Sequence, residues 1–262
     1  MSDLRYDVDG AVATATLNRP DSRNAYSEEM AAELVDALDR AESDESVRVF
    51  VVTGAGDAFC AGGDLEAMRD RSGMFSGDPV ELRDNYLRGL QHVPRRFERF
   101  EKPTLAAING PAIGAGLGLA LMCDLRIAVE SATFGIPAAR VGVIPGDGGA
   151  YLLQRVVGFA KAVELLLTAE IVEADEALEI DLITRAVPDD KLLDETESLA
   201  HRIAGLPQKA VQTTKAALYR CVDQDFETSL QITAALQSCI QHTDEHETAV
   251  RELLESLDGS NS

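Results

Sequence analysis

The sequence predicts an α/β core followed by a helical C-terminal region. Three observations carry this. Two short apolar runs, 47–53 and 104–108, each lead into a glycine-rich turn, the pattern of buried strands feeding helix N-termini. Around them lie stretches with apolar residues at helical spacing, such as Met30, Leu34 and Leu38. Beyond Pro188 strand signals vanish, and four amphipathic stretches follow at 191–204, 209–221, 226–240 and 245–257. The expected division is an α/β core over 1–190 and a helical region over 191–262.

In chain order, residues 4–17 alternate as two strands about Asp9-Gly10, a hairpin signal. Asn18-Arg19-Pro20-Asp21 breaks the second strand. Ser27 is an N-cap, with Glu28 and Glu29 in the first turn of the helix that follows. After the strand 47–53 and the turn Gly54-Ala55-Gly56-Asp57 comes the first glycine-rich turn, Phe59-Cys60-Ala61-Gly62-Gly63-Asp64-Leu65. Residues 69–94 are polar and carry Gly73, Gly77 and Pro79, which reads as a lid-like segment, and one helix is expected over 80–100. The strand 104–108 then runs through Asn109-Gly110-Pro111 into Gly114-Ala115-Gly116-Leu117-Gly118, which opens an apolar helix to Met122. A strand at 125–129 follows, then a connection at 137–149 with four glycines and two prolines. Helices at 150–157 and 160–168 are split by Gly158, before a helix at 174–180 and a strand at 182–187.

The two glycine-rich turns define the chemistry to look for. A strand that feeds such a turn into a helix aims unpaired backbone N–H groups outward at the positive end of the helix dipole. That arrangement holds a phosphate, or an anion that develops during a reaction. A dinucleotide fold is a rival, but in Gly114-x-Gly116-x-Gly118 the third glycine comes one residue early, and no acid follows at the required distance. A Walker loop fails for want of Gly-Lys-Ser/Thr. His92, His201, His242 and His246 offer no triad, and the scattered Cys60, Cys123, Cys221 and Cys239 have no metal-ligand spacing.

These turns, with Asn18-Arg19-Pro20 and Asn24-Ala25 before them, closely resemble the crotonase (enoyl-CoA hydratase/isomerase) superfamily. So do Lys102-Pro103, Ala107-Ile108-Asn109-Gly110, Cys123-Asp124-Leu125, Phe134-Gly135 and Val163-Glu164-Leu165-Leu166-Leu167-Thr168, in family order. The resemblance implies a crotonase-like spiral of ββα units with a helical C-terminal extension, assembled as homotrimers or hexamers. It implies an acyl-CoA thioester substrate, with coenzyme A part of that substrate and no separate cofactor. Carried over by position, the oxyanion-hole donors are the amides of Gly63 and Ala115. Substrate contacts fall at Ala25, Ala61, Gly62, Asp64, Leu65, Gly114 and Ala138, and the walls of the acyl pocket come from 65–100.

The departures from the family pattern narrow the reaction. Its hydratases hold water between two glutamates, and the matching positions here are Gly118 and Ala138, neither able to move a proton. Isomerase-like members carry one carboxylate in the turn after the 137–145 connection. Gly146 fills that slot, with Asp147 one residue on, and Asp147 becomes the candidate acid/base. The alternative for Asp147 is a cap on the helix beginning at Gly148. Glu66 and the basic cluster near Arg95 are further groups within conceivable reach. The function expected is therefore isomerase-like or single-carboxylate enoyl-CoA chemistry. The alternatives are a silent acyl-CoA binder, a thioester or C–C bond hydrolase, and more distantly an oxidoreductase.

Composition bounds the rest. A formal charge of −21 disfavours nucleic acid as a partner. No apolar run reaches the length of a membrane span, and the N-terminus lacks a secretory pattern, so no membrane partner is expected and the cytosol is the expected compartment. Eight basic residues lie between Arg69 and Lys102. They either form a patch for substrate phosphates or neutralise neighbouring acids. Only five of the 24 basic residues are Lys, and an acidic, Lys-poor surface suits concentrated salt, where screening removes self-repulsion. The melting temperature is accordingly expected to rise with molar KCl, and a flat or falling curve contradicts a halophilic origin.

Overall fold

The computed structural model describes residues 2–259. Its elements are β1 (Leu4–Asp9), β2 (Val12–Leu17), α1 (Glu28–Ser43), β3 (Val49–Gly54), α2 (Leu65–Asp70), α3 (Pro79–Arg88), α4 (His92–Arg99), β4 (Thr104–Ile108), β5 (Ala112–Ile113) and α5 (Ala115–Met122). They continue with β6 (Leu125–Val129), β7 (Thr133–Gly135), α6 (Gly149–Val157), α7 (Phe159–Thr168), β8 (Val172–Glu173), α8 (Ala174–Glu179) and β9 (Arg185–Val187). The last four are α9 (Leu192–Ala204), α10 (Gln208–Cys221), α11 (Phe226–Ile240) and α12 (Asp244–Gly259).

The hairpin closes with Asp9 opposite Val12, and β2, β3, β4, β6 and β9 continue the sheet in parallel, in the order β1-β2-β3-β4-β6-β9. Parallel strands covered on both faces need apolar residues at consecutive positions. That is why β4 is buried at every residue and β3 at all but Gly54. A second, three-stranded sheet, β5-β7-β8, stands beside the first. α1 starts where Ser27 accepts the Met30 amide, and it buries Met30, Leu34 and Leu38. α5 has Gly116 to Leu121 all buried. A helix apolar on every side belongs in the interior, so its N-terminus is held rigidly.

The single helix expected over 80–100 is two. α3 begins with a capping box between Asp78 and Glu81 and stops at Gly89, whose N–H donates to the Asn85 carbonyl at 2.8 Å. α4 starts afresh at His92 because the backbone leaves the helical conformation at Gly89, with φ −97° and ψ −99°. Capped helices thus occupy much of the segment read as lid-like.

α9 reaches the main sheet, and its C-terminal carbonyl at Ala204 accepts from Arg48 Nη1 at 2.8 Å. α10 is fastened through Asp124. Its carboxylate accepts from the Thr104 amide and hydroxyl, pairs with Lys215 Nζ at 2.8 Å and accepts from the Tyr219 hydroxyl at 2.8 Å. Among the described residues, α10, α11 and α12 bury no side chain fully. Among the described residues no helix is long and apolar enough to cross a membrane, and no three His, Cys, Asp or Glu residues are placed to hold a metal ion.

Candidate active site

Backbone bonds stitch the two glycine-rich turns together. Cys60 N–H donates to the Pro111 carbonyl at 3.1 Å, Ile113 N–H donates to the Cys60 carbonyl at 2.9 Å, and Cys60 pairs with Ala112 as a bridge. Gly116 makes the approach possible, because a Cβ there would lie 2.1 Å from the Cys60 carbonyl oxygen. The first turn is braced from behind. Fully buried Asn24 donates Nδ2 to the Ala58 carbonyl at 2.8 Å and the Phe59 carbonyl at 3.2 Å, and Tyr26 N–H donates to the Gly62 carbonyl at 2.7 Å. Asn109 accepts the Gly54 amide on Oδ1 at 3.1 Å and donates Nδ2 to the Gly56 carbonyl at 3.0 Å. Two asparagines of the sequence pattern are therefore struts.

Gly63 and Ala115 lie on the wall of one cavity. Ala115 is the first residue of α5, behind Gly114 at φ 57° and ψ −121°, so its N–H has no intrahelical acceptor. Gly63 precedes α2, whose first turn is capped by Asp64 through the amides of Glu66 and Ala67. Among the described residues neither the Gly63 nor the Ala115 N–H has a backbone acceptor. The stitched turns leave both donors unspent beside the same space.

That space measures about 180 Å³. Its walls include Leu65, Met68, Met74, Phe75, Tyr86 and Leu90, as expected from the 65–100 segment. They also include Ile136, Val141, Val143 and Ile144 from the connection before α6. The wall thus extends beyond the 65–100 segment expected to supply it. The proline- and glycine-rich connection contributes to the wall, something its irregular sequence gave no periodicity to reveal.

Asp147 is the one carboxylate among the residues lining the cavity, and it is 4% exposed. Its Oδ1 accepts the Gly149 N–H at 3.0 Å, while Oδ2 is buried with no hydrogen-bond partner. The capping role and the free carboxylate oxygen thus coexist, with α6 beginning at Gly149 rather than Gly148. Burial raises the Asp147 pKa, opposed by the hydrogen bond from Gly149. Nearby Tyr86 is raised by burial and then by the Asp147 charge. Burial pushes the Cys60 thiol up to about 12, which leaves it inert beneath the turn.

Of the residues carried over by resemblance, Ala61, Gly62, Gly63, Leu65, Gly114, Ala115, Ala138 and Asp147 share the cavity wall. Ala25 and Asp64 do not: the Ala25 carbonyl accepts from the Arg19 guanidinium, and Asp64 caps α2 with Arg19 Nη2 at 3.7 Å. Glu66 is exposed and lies off the wall. Several of the basic residues turn elsewhere. Arg96 pairs with Asp39 and Glu42, Arg69 with Asp70, and Lys102 Nζ caps the end of α1 at the Ala41 and Asp44 carbonyls. Arg95 donates to the Leu87 carbonyl. Sequence reasoning missed Tyr26, which lines the cavity at 3% exposure with a hydroxyl lacking any partner. Burial first, then Cys60 and Asp147, push its pKa well up. A phenol placed directly after the Asn24-Ala25 pair was the available signal.

The enoyl-CoA hydratase/isomerase family model matches residues 7–260. The chain is 38% identical over 238 residues to a crotonyl-CoA hydratase of Syntrophomonas wolfei, covering 90% of this chain and 89% of that protein. It is 36% identical over 225 residues to a 1,2-epoxyphenylacetyl-CoA isomerase of Escherichia coli, covering 86% and 85% respectively. The crystal structure of an enoyl-CoA hydratase from Bacillus anthracis superposes with a TM-score of 0.91 at 30% identity, covering 97% of this chain and 96% of that one.

Tyr26→Phe removes a buried hydroxyl that has no partner in the unliganded chain. Leaving such a group unsatisfied costs about 1–3 kcal/mol, so the variant is expected to melt at a higher temperature than the wild type. An unchanged or lower melting temperature shows that the hydroxyl is satisfied.

Proposed function

The chain belongs to the enoyl-CoA hydratase/isomerase (crotonase) family and has its fold, and on that premise we propose that it moves a proton along an enoyl-CoA with Asp147 as the single acid/base. The observation that carries this reading is Asp147 itself, which lines the same cavity as Gly63 and Ala115 and keeps a buried Oδ2 without a hydrogen-bond partner. No second carboxylate lines that cavity among the described residues, and positions 118 and 138 supply none. Water held between two carboxylates has no counterpart here.

The thioester carbonyl oxygen takes the two unspent N–H groups. Asp147 removes a proton from the α carbon, and the electron pair flows onto the thioester oxygen as a dienolate. The amides of Gly63 and Ala115 stabilise that charge where it develops, each donor contributing about 3–4 kcal/mol by comparison with known oxyanion holes. The carboxylic acid so formed returns the proton to the γ carbon, and the double bond moves from β,γ to α,β. No proton or electron is gained or lost overall. Burial prepares Asp147 for this work by raising its pKa above the ordinary carboxylate value.

The cavity limits the acyl group. An apolar cavity of about 150 Å³ accepts benzene, so the space of about 180 Å³ here suits a short chain or a single ring. The named relatives are a hydratase and an isomerase of an epoxide-bearing CoA ester, so the double-bond shift rests on the single carboxylate and not on either name. Assembly into trimers or hexamers fits the tail, where Leu218, Tyr219, Val222 and Phe226 are exposed.

Asp147→Asn separates the roles. Loss of the acid/base is expected to lower turnover of a 3-enoyl-CoA by about 10²–10⁴-fold, with acyl-CoA binding retained. The same change should raise stability at neutral pH. A carboxyl whose folded pKa lies above its unfolded value binds more protons when folded, so stability falls as pH rises from the ordinary carboxylate range through the raised folded pKa. Asparagine removes that loss. Undiminished turnover in the variant, or a wild type that binds crotonyl-CoA and 3-enoyl-CoA yet converts neither, contradicts the proposal.

A further inference from the structure

Asp147 does not merely reach the cavity; it fills a notch in α5. A Cβ at Gly118 would lie 2.0 Å from Asp147 Oδ2, 2.9 Å from Cγ and 3.4 Å from Oδ1. Contacts between non-bonded heavy atoms are favourable only near 3.5–4.0 Å as a rough guide, so a methyl at 118 and the carboxylate in its present place exclude each other. The backbone gives no reason for glycine here. Gly118 is an interior residue of α5, its N–H donates to the Gly114 carbonyl at 3.0 Å, and its φ is not positive. Glycine at such a helical position costs about 0.8–1.0 kcal/mol relative to alanine. The carboxylate has little freedom to step aside. Its Oδ1 is tied to the Gly149 N–H, and the side chain is 4% exposed.

We propose that Gly118 is a positioning residue: its missing side chain seats Oδ2 of Asp147, so that a carboxylate delivered from the loop before α6 replaces one delivered from α5. This deepens the reading of Asp147 as acid/base and rests on it for its catalytic meaning. The steric claim itself stands without any turnover. In this site the acid and the helix trade places, and the two arrangements cannot be combined. A glutamate added at 118 would evict Asp147 rather than join it, so the site stays limited to reactions that need one carboxylate. The titratable groups near Asp147 are Tyr26 before α1, Cys60 on the first turn and Tyr86 on α3. None carries charge at neutral pH, and no Lys, Arg, His or Glu lines the cavity among the described residues.

The test is a double-mutant cycle on the full-length protein with Gly118→Ala and Asp147→Ala, read by thermal unfolding. Gly118→Ala alone is expected to lower the melting temperature by several degrees or to prevent folding. In the Asp147→Ala background the same change should leave the melting temperature unchanged or raise it, because the clash is gone and alanine is the better helix former. Equal effects of Gly118→Ala in both backgrounds overturn the proposal. If the single variant folds, its kcat on a 3-enoyl-CoA should fall at least tenfold with KM within about twofold, and the acid limb of its pH profile should move to lower pH as the carboxylate is expelled toward water. A fall in kcat with an unmoved acid limb contradicts a positioning role. Coupling in the melting cycle together with full activity of Asp147→Asn would refute the catalytic reading while leaving the notch intact.

Discussion

The constraint on which the structure depends is the pair of backbone bonds between Cys60 and the segment Pro111 to Ile113. They join two turns about fifty residues apart in sequence, and everything in the site is referred to that join. With Gly116 pressed against the Cys60 carbonyl, the first turn of α5 cannot slide relative to the loop before α2. Gly63 and Ala115 then line one cavity, and among the described residues neither amide has a backbone acceptor. Both residues are only partly buried, so a ligand in the cavity can complete their bonds.

The same tension recurs in two side chains of the cavity wall. Asp147 Oδ2 and the Tyr26 hydroxyl are both buried and both unpartnered. Glycine occupies a helical position at 118, where alanine would favour the helix. Each feature lowers stability locally, and Tyr26 and Asp147 line a single cavity, with Gly118 packed directly behind Asp147. The molecule offsets them elsewhere, through the buried central strands and through the Asn24 and Asn109 struts. Stability is traded for a preorganised site.

Much of this was legible in the sequence because it is local. The hairpin about Asp9-Gly10, the Ser27 cap and the buried strands follow from residue pattern alone. The two glycine-rich turns announced the free amides, since a turn that opens a helix leaves its first N–H groups unpaired. The break at Gly89 inside the expected long helix was not legible, because one glycine within a polar helical pattern is ambiguous between cap and tolerated residue. Nor was the pocket wall at 136–146, whose prolines and glycines carry no period. The relation between Gly118 and Asp147 was the least accessible. It joins residues 29 positions apart through a contact that exists only once α5 and the loop before α6 have packed together. Sequence can show that a side chain is missing, but not what occupies the place it left.

The central claim is that two main-chain amides share the charge of one thioester oxygen. Difference infrared spectroscopy of crotonyl-CoA carrying a ¹³C label at the thioester carbonyl tests it most directly. The account predicts that the carbonyl stretch of the bound ester lies at lower frequency than that of the free ester in water, because two fixed N–H donors polarise the bond. A bound stretch at or above the free value would contradict it.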